Sequence, residues 1–218
     1  MLTNPLAKKI LLYGDSLVYG KIPWWWPRYP VTVRFSWVLQ NILGESYDII
    51  EEWQRWRMLS GENTYFPDRD GLQQFWPIFS SHVPIDLLVI FLGTNDCNAW
   101  SEKSYDDIAS SFDAYQEKIQ RRCGQFWLPV PPLLIIIPPD TKEFFSYPLF
   151  KDIFKGGDEK IKKLRENTLD YATQNHINYF DCADYIQASE NDGIHLDEEN
   201  NTLLAQYLTQ KIQSALHH

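Results

Sequence analysis

Five short apolar runs recur along the chain, with longer segments of mixed polar and apolar residues between them. Two runs, Asp86–Leu92 and Leu133–Ile137, are almost continuously apolar, which is typical of strands buried on both faces of a parallel sheet. The pattern therefore predicts five strands: Lys9–Tyr13, Tyr47–Glu51, Asp86–Leu92, Leu133–Ile137 and Ile177–Asp181.

Helical periodicity is found in the segments between the predicted strands. In Asp158–Asn175, for example, an apolar stripe follows one side of a charged segment. The alternation of strand and helix predicts an α/β fold, a doubly wound three-layer α/β/α sandwich around a central parallel sheet of about five strands. We expect residues 1–218 to form a single domain. The predicted helices are Phe35–Leu43, Gly71–Ser80, Tyr105–Arg122, Asp158–Asn175 and Glu198–Ala215.

Residues suited to acyl-transfer chemistry follow the ends of these strands. Ser16 comes after the first strand, Asn95 after the third, and Asp192 and His195 after the last. The carboxyl ends of parallel strands meet at one edge of a sheet. A serine hydroxyl needs a base to take its proton, and that base needs a third group to orient it. We therefore predict Ser16 as nucleophile, His195 as base and Asp192 as its partner, with the Asn95 amide donating to an oxyanion.

Taken singly, each of these motifs is more often structural, and their combination carries the prediction. In this combination the chain resembles the SGNH, or GDSL, hydrolase superfamily. The motifs that carry the resemblance are Gly14-Asp15-Ser16-Leu17, Gly93-Thr94-Asn95-Asp96 and Asp192-Gly193-Ile194-His195. Other stretches are similar to the bacterial arylesterase branch: Ile50-Glu51-Glu52, Pro84-Ile85-Asp86-Leu87, Ile153-Phe154-Lys155-Gly156-Gly157 and Asp192-Gly193-Ile194-His195-Leu196.

The resemblance implies a flavodoxin-like SGNH hydrolase fold and the hydrolysis of short-chain acyl esters, often acetyl esters. Some members also transfer the acyl group to other acceptors. It further implies an oxyanion hole made by the backbone N–H of Ser16, the backbone N–H of Trp56 and the side chain of Asn95. Trp56 belongs to the second block of the family pattern, which reads Glu51-Glu52-Trp53-Gln54-Arg55-Trp56-Arg57 in this chain. Asp15 and Asp96 are interpreted as residues that stabilise the turns beside the site.

Tryptophan stands where the family pattern has glycine or another small residue. The chain contains 9 tryptophans and 10 glycines. Trp56 occupies the oxyanion position of the second block, and Trp53 occupies the glycine position before it. Trp37 and Trp76 fall on glycine-like positions as well, and Trp24–Trp26 lie in a proline- and aromatic-rich loop. Two hypotheses account for this: UGA codons of the gene specify glycine rather than tryptophan, or tryptophan reshapes the acyl pocket. UGG codons at these positions would exclude the first.

Charge and cysteine content exclude several classes of function. The net charge of −9 disfavours nucleic acid and anionic membranes as partners. The three cysteines lack the spacing of a zinc site and cannot all pair. No run approaches the roughly 18 apolar residues of a membrane span. The apolar run at Ile10–Tyr13 is too short for a signal peptide, so we expect none. We therefore expect a cytoplasmic protein that acts on a small-molecule ester and needs no metal or organic cofactor.

Two long loops, Ile22–Pro30 and Pro138–Phe154, are candidates for lids or for a subunit interface. Through such an interface the chain could form a homo-oligomer. The expected function is that of a serine esterase for short acyl esters. Two alternatives are a carbohydrate acetyl esterase with the same triad, and a weakly active or non-catalytic ester- or glycan-binding homologue whose oxyanion region is altered by Trp53 and Trp56. His82 and His176 lack the Asp-x-x-His setting of His195 and are interpreted as surface or loop residues.

Overall fold

All five predicted strands are present and form one parallel sheet. A computed structural model of the chain describes residues 4–63, 65–99, 101, 105–142 and 148–217. The strand order is β2-β1-β3-β4-β5, and every neighbouring pair is parallel. The predicted α/β fold with its five-stranded sheet is therefore confirmed. The strands are β1 Lys8–Gly14, β2 Tyr47–Trp53, β3 Leu87–Phe91, β4 Leu133–Ile137 and β5 Asn178–Asp181.

The five predicted helices are also present, with ends shifted by at most three residues. Two more helices, α1 and α5, were not predicted because at 4 and 6 residues they are too short to show periodicity. Helix α5 lies inside the predicted loop Pro138–Phe154, of which residues 143–147 lie outside the described residues. The helices are α1 Ser16–Tyr19, α2 Phe35–Leu43, α3 Gly71–His82, α4 Tyr105–Gln125, α5 Pro148–Ile153, α6 Gly157–Gln174 and α7 Glu198–His217.

Alternating side chains of the strands face two separate apolar cores. Ile10 and Leu12 of β1 pack with α2 and α7, whereas Leu11 and Tyr13 pack with α3, α4 and α6. Every residue of β3 and β4 is buried, as their apolar sequences indicate. The sheet thus lies between two helical layers. None of the helices in the described part of the chain has the length and apolar character needed to cross a bilayer.

The strand register brings the predicted functional segments to one edge of the sheet. Gly14, the last residue of β1, lies opposite Trp53 of β2 and Phe91 of β3. The chain segments that follow these three residues therefore leave the sheet side by side. Gly14 itself has no room for a side chain, since a Cβ there would lie 2.8 Å from the carbonyl oxygen of Phe91.

Three tryptophans have a backbone conformation that normally favours glycine. The φ angle is 70° at Trp24, 67° at Trp56 and 50° at Trp127. Left-handed backbone costs an L-residue about 1–2 kcal/mol, and for a bulky side chain it is a true outlier. Trp37 and Trp76, in contrast, lie within α2 and α3. The backbone therefore supports a glycine-like position at 24, 56 and 127, and gives no such support at 37 and 76.

Replacement of Trp127 by glycine is expected to stabilise the protein by about 1 kcal/mol, because glycine adopts the left-handed conformation that ends a helix without strain. The Trp127 side chain is 93% exposed, so its removal loses little packing. Denaturant unfolding of the Trp127→Gly variant measures this. Trp37→Gly, inside α2, serves as the control and is expected to lose about 1 kcal/mol. A Trp127→Gly variant no more stable than the parent would contradict backbone strain at this position.

Candidate active site

The three residues predicted as a catalytic triad lie in hydrogen-bonded sequence. The Nε2 atom of His195 lies 2.9 Å from Ser16 Oγ, and its Nδ1 atom lies 2.7 Å from Asp192 Oδ2. With the imidazole neutral and Nδ1 protonated, Nδ1–H donates to the carboxylate and the serine hydroxyl donates to Nε2. All three residues are buried, with Asp192 fully inaccessible to solvent. The arrangement suits abstraction of the serine proton.

Short local structures hold Ser16 in place. It is the first residue of α1, and the side chain of Asp15 caps this helix by accepting the N–H of Leu17 at 2.8 Å. The cap therefore fixes the turn from which the serine hydroxyl reaches His195. This agrees with the interpretation of Asp15 as a residue that stabilises the turn.

The spacing between Asp192 and His195 has an equally direct structural reason. Oδ1 of Asp192 accepts the backbone N–H of Ile194 at 3.0 Å and of His195 at 2.9 Å. Gly193 has a φ of 71°, which allows the chain to fold back over the carboxylate. The second oxygen, Oδ2, accepts Nδ1–H of His195 and the backbone N–H of Trp24 at 3.0 Å. The Asp192 carboxylate thus holds its own turn, the imidazole of His195 and the loop that contains Trp24–Trp26.

Burial and charge set the protonation states of this pair. Burial alone would raise the pKa of Asp192, but the charge of His195 and the N–H groups of His195 and Trp24 hold that pKa well below its ordinary value. Burial lowers the pKa of His195, which the Asp192 carboxylate opposes and the positive charge of Lys21 assists. The result is an ionised carboxylate beside an imidazole that is neutral, and therefore basic, near pH 7.

The backbone N–H groups of Ser16 and Trp56 are candidates for an oxyanion hole, since both residues line the cavity described below. Neither the N–H of Ser16 nor that of Trp56 donates a hydrogen bond to any residue that the structure describes. The side-chain amide of Asn95, in contrast, already donates to Asp15 Oδ2 at 2.9 Å and to the backbone oxygen of Arg57 at 3.0 Å. Asn95 lines the cavity described below, but an oxyanion would have to share an N–H that now has a protein acceptor.

A buried polar network lies beneath these groups. Burial and the nearby Asp96 carboxylate raise the pKa of Asp15 to about 7. Asp96 in turn accepts the backbone N–H of Leu59 at 2.8 Å, which joins the loop that carries Asn95 to the segment after Arg57. Arg57 donates to the backbone oxygen of Gly14 at 2.8 Å, and its guanidinium lies over the Tyr13 ring. Arg57 thereby holds the second block against the end of β1, a role that no local motif indicated.

The two tryptophans of the second block have different surroundings. Trp53 ends β2 with an ordinary backbone, and its ring lies 4.3 Å from that of Tyr19. Trp56 has a left-handed backbone, and its ring stacks on Phe66 at 4.7 Å and on Phe154 at 6.5 Å. Of the two, only Trp56 lines the cavity at Ser16. The ring of Trp56 therefore reaches the wall of the cavity, whereas Trp53 packs beside Tyr19.

A cavity of about 400 Å³ opens at the candidate triad, with Ser16 and His195 in its wall. Trp25 and Trp26 are 63% and 76% exposed and mark its open side. The lining also contains Lys21 and Arg55, for which the sequence motifs predicted no role. The aromatic lining consists of Trp24, Trp25, Trp26, Trp56, Phe66, Phe150 and Phe154.

The two remaining internal histidines lie apart from this site. His176 is in the turn between α6 and β5, as expected. His82 nevertheless has a carboxylate partner, since its Nε2 lies 2.6 Å from Glu52 Oε1. That pair joins the end of α3 to β2. Because the two residues are 30 positions apart in sequence, no local motif could have indicated the contact. Neither residue lines the cavity at Ser16.

Known proteins share both the sequence pattern and the fold. The chain matches the GDSL-like lipase/acylhydrolase family model over residues 12–202. The native aryl esterase of M. smegmatis is 31% identical with a TM-score of 0.90, over 96% of this chain and 100% of that one. Est24, a carbohydrate acetylesterase from Sinorhizobium meliloti, is 30% identical with a TM-score of 0.89, over 95% of this chain and 99% of that one.

No curated protein matches the sequence. The family match nevertheless extends from β1 into α7 and includes every residue of the candidate triad. The chain therefore belongs to the GDSL-like lipase/acylhydrolase family.

Proposed function

We propose that this protein is a serine esterase that hydrolyses short-chain, acetyl-type esters through a Ser16-His195-Asp192 triad and an acyl-enzyme intermediate. The observation that carries the proposal is the continuous pair of hydrogen bonds from Ser16 Oγ through His195 to Asp192, at 2.9 and 2.7 Å. These contacts bring residues 179 positions apart in sequence into one buried relay. Such an arrangement is what nucleophilic catalysis by serine requires.

In the first half-reaction, Ser16 Oγ attacks the ester carbonyl carbon while its proton passes to Nε2 of His195. Asp192 stabilises the imidazolium that forms. The carbonyl oxygen becomes an oxyanion, for which the free N–H groups of Ser16 and Trp56 are the donors, with the Asn95 amide as a shared third donor. One such donor contributes about 2.7–4 kcal/mol in related chemistry. His195 then protonates the departing alcohol oxygen, and the acyl group remains on Ser16.

In the second half-reaction, a water molecule replaces the alcohol. His195 takes a proton from the water, whose oxygen attacks the acyl carbon, and the tetrahedral intermediate expels Ser16 Oγ. Protonation of Oγ by His195 restores the resting state and releases the acid. If another alcohol takes the place of water, the same steps transfer the acyl group, and acyl-transfer activity is part of the proposal.

The cavity supports esters with an aromatic or otherwise apolar portion. Seven of its lining residues are tryptophan or phenylalanine, and aromatic side chains bind apolar rings by offset or edge-to-face contact. An aryl acetate is therefore the first substrate to assay. That the whole chain is one domain, that it acts in the cytoplasm and that it can form homo-oligomers remain predictions from the sequence.

A carbohydrate acetyl esterase with the same triad is the second candidate. Two observations favour it: the similar fold of the carbohydrate acetylesterase Est24, and the exposed rings of Trp25 and Trp26 at the opening of the cavity. Sugars commonly bind against exposed aromatic faces. A panel of acetylated sugars beside aryl acetates distinguishes the two substrate classes, through the ratio of their kcat/KM values.

Removal of the Ser16 hydroxyl is expected to lower kcat for an aryl acetate by about 10⁴-fold or more, since the attacking group is lost. Steady-state hydrolysis by the Ser16→Ala variant measures this, with circular dichroism to verify folding. The matched control is Ser81→Ala. The exposed Ser81 hydroxyl donates to the backbone oxygen of Ile78, outside the cavity at Ser16, so its removal should leave kcat unchanged. Retention of more than about a tenth of the parental kcat in a folded Ser16→Ala variant would refute Ser16 as nucleophile.

The pH dependence of kcat/KM is expected to report a His195 pKa below the ordinary histidine value of about 6.5. Activity requires neutral imidazole, so the rate should fall only as the pH drops through this lowered pKa. Asp192→Asn removes a charge that raises the pKa and should shift the inflection further down while reducing kcat. Glu190→Gln, which neutralises an exposed carboxylate nearby, is the control and should leave the inflection in place. An inflection above pH 7 in the parent protein would contradict a lowered pKa for His195.

A further inference from the structure

Two positive charges lie in the wall of an otherwise aromatic cavity. Lys21 and Arg55 line the space at Ser16 and His195, and no carboxylate is among the lining residues that the structure describes. This contrasts with the net charge of −9 for the whole chain. A neutral aryl acetate offers no negative charge for the Arg55 guanidinium to bind. Their presence in the wall points to a charged group on the ester.

Arg55 is held by rings and not by an acid. Its guanidinium carbon lies 4.9 Å from the centre of the Trp26 ring and 5.7 Å from that of Tyr19. Within the described ranges, its guanidinium forms no ion pair and no side-chain hydrogen bond. Stacking on aromatic faces orients a guanidinium but leaves its in-plane N–H donors available. Those donors match the two oxygens of a carboxylate.

Lys21 adds positive charge close to the reacting atoms. Its Nζ lies 3.8 Å from Asp192 Oδ2 and donates to the backbone oxygen of Ile22 at 3.3 Å. Burial lowers the pKa of Lys21, the Asp192 carboxylate opposes this, and the Arg55 guanidinium lowers it further. Lys21 therefore already has an anionic partner in Asp192, which leaves Arg55 as the cation to which a bound anion would pair.

On these grounds, and resting on the proposed esterase function, we propose that the cavity selects esters whose alcohol portion carries a carboxylate, which Arg55 binds. The carboxylate belongs at the open side of the cavity, because Arg55 stacks there on Trp26, which is 76% exposed. A charge held at the opening stays partly hydrated, whereas one placed among Trp56, Phe66 and Phe154 would lose its water without a partner. The apolar interior is left for the acyl group.

The test compares two acetate esters that differ in one charge. Acetylated 4-hydroxybenzoate carries a carboxylate at pH 7.5, and acetylated 4-hydroxybenzamide is its neutral counterpart of similar shape. Each kcat/KM is divided by the uncatalysed hydrolysis rate of the same ester, which removes the difference between the leaving groups. The expected preference for the anionic ester is about tenfold at low salt. It should diminish as added salt screens the charges.

Variants of Arg55 assign this preference to one side chain. Arg55→Gln is expected to bring the anionic-to-neutral ratio down about tenfold, and Arg55→Lys is expected to keep part of it. The matched control is Arg121→Gln, which removes an equal charge from an arginine that also lies over a tryptophan, Trp76, but outside this cavity. Its ratio should equal that of the parent. Thermal unfolding of each variant verifies that the fold is retained.

A binding measurement separates this inference from the esterase proposal. Calorimetric titration of the Ser16→Ala variant with 4-hydroxybenzoate and with 4-hydroxybenzamide reports recognition without turnover, and the anion is expected to bind about tenfold more tightly. Hydrolysis of both esters without any preference, together with equal affinities, overturns the carboxylate inference and leaves the esterase proposal intact. Tighter binding of the anion by a protein that hydrolyses neither ester overturns the esterase proposal and supports the anion site. An Arg55→Gln variant with the parental ratio overturns the assignment to Arg55.

Discussion

A fully buried carboxylate, that of Asp192, organises the site around it. An ionised group without access to water is tolerated only when hydrogen bonds replace its hydration. Its two oxygens accept four N–H groups: the backbone donors of Ile194, His195 and Trp24, and the imidazole of His195. The hydrogen bonds that stabilise this one charge also close the turn before α7, orient the His195 imidazole and hold the loop that contains Trp24–Trp26 at the cavity.

The sheet supplies the second requirement, which is proximity. Because β1, β2 and β3 are parallel and in register at Gly14, Trp53 and Phe91, the segments after them leave the same edge. The sheet topology brings together Ser16, the backbone of Trp56 and the loop that contains Asn95. Arg57 then ties the second block to the first through the backbone oxygen of Gly14. Chemistry and packing thus depend on the same few contacts at the ends of the strands.

Most of the fold could be predicted from the sequence because its physical causes are local or periodic. The apolar runs of β3 and β4 correspond to strands buried on both faces, and the 3.6-residue stripes correspond to the long helices. The candidate triad and Asn95 were predictable for a similar reason. They lie in three short motifs that follow strands, and one parallel sheet is enough to bring those motifs together. Helices α1 and α5 were missed because four and six residues show no period.

Features that depend on side chains distant in sequence could not be predicted. The stacking of Trp56 between Phe66 and Phe154 and the position of Arg55 over Trp26 arise only when separate loops meet. The glycine-like nature of the tryptophan positions was predictable only in part. Family resemblance pointed to positions 37, 53, 56 and 76, but the backbone is left-handed only at 56 among these, and also at 24 and 127. Resemblance of sequence does not report φ.

Covalent labelling by a fluorophosphonate tests Ser16 as a nucleophile, because the reaction requires an activated serine and not merely a pocket that binds esters. The purified protein is treated with the probe, and the site of modification is mapped by peptide mass spectrometry. We expect a single adduct on Ser16 in the parent protein and no adduct in the Ser16→Ala variant. Reversible binding of the probe without an adduct, or an adduct on another serine, would contradict the assignment of Ser16, His195 and Asp192 as a catalytic triad.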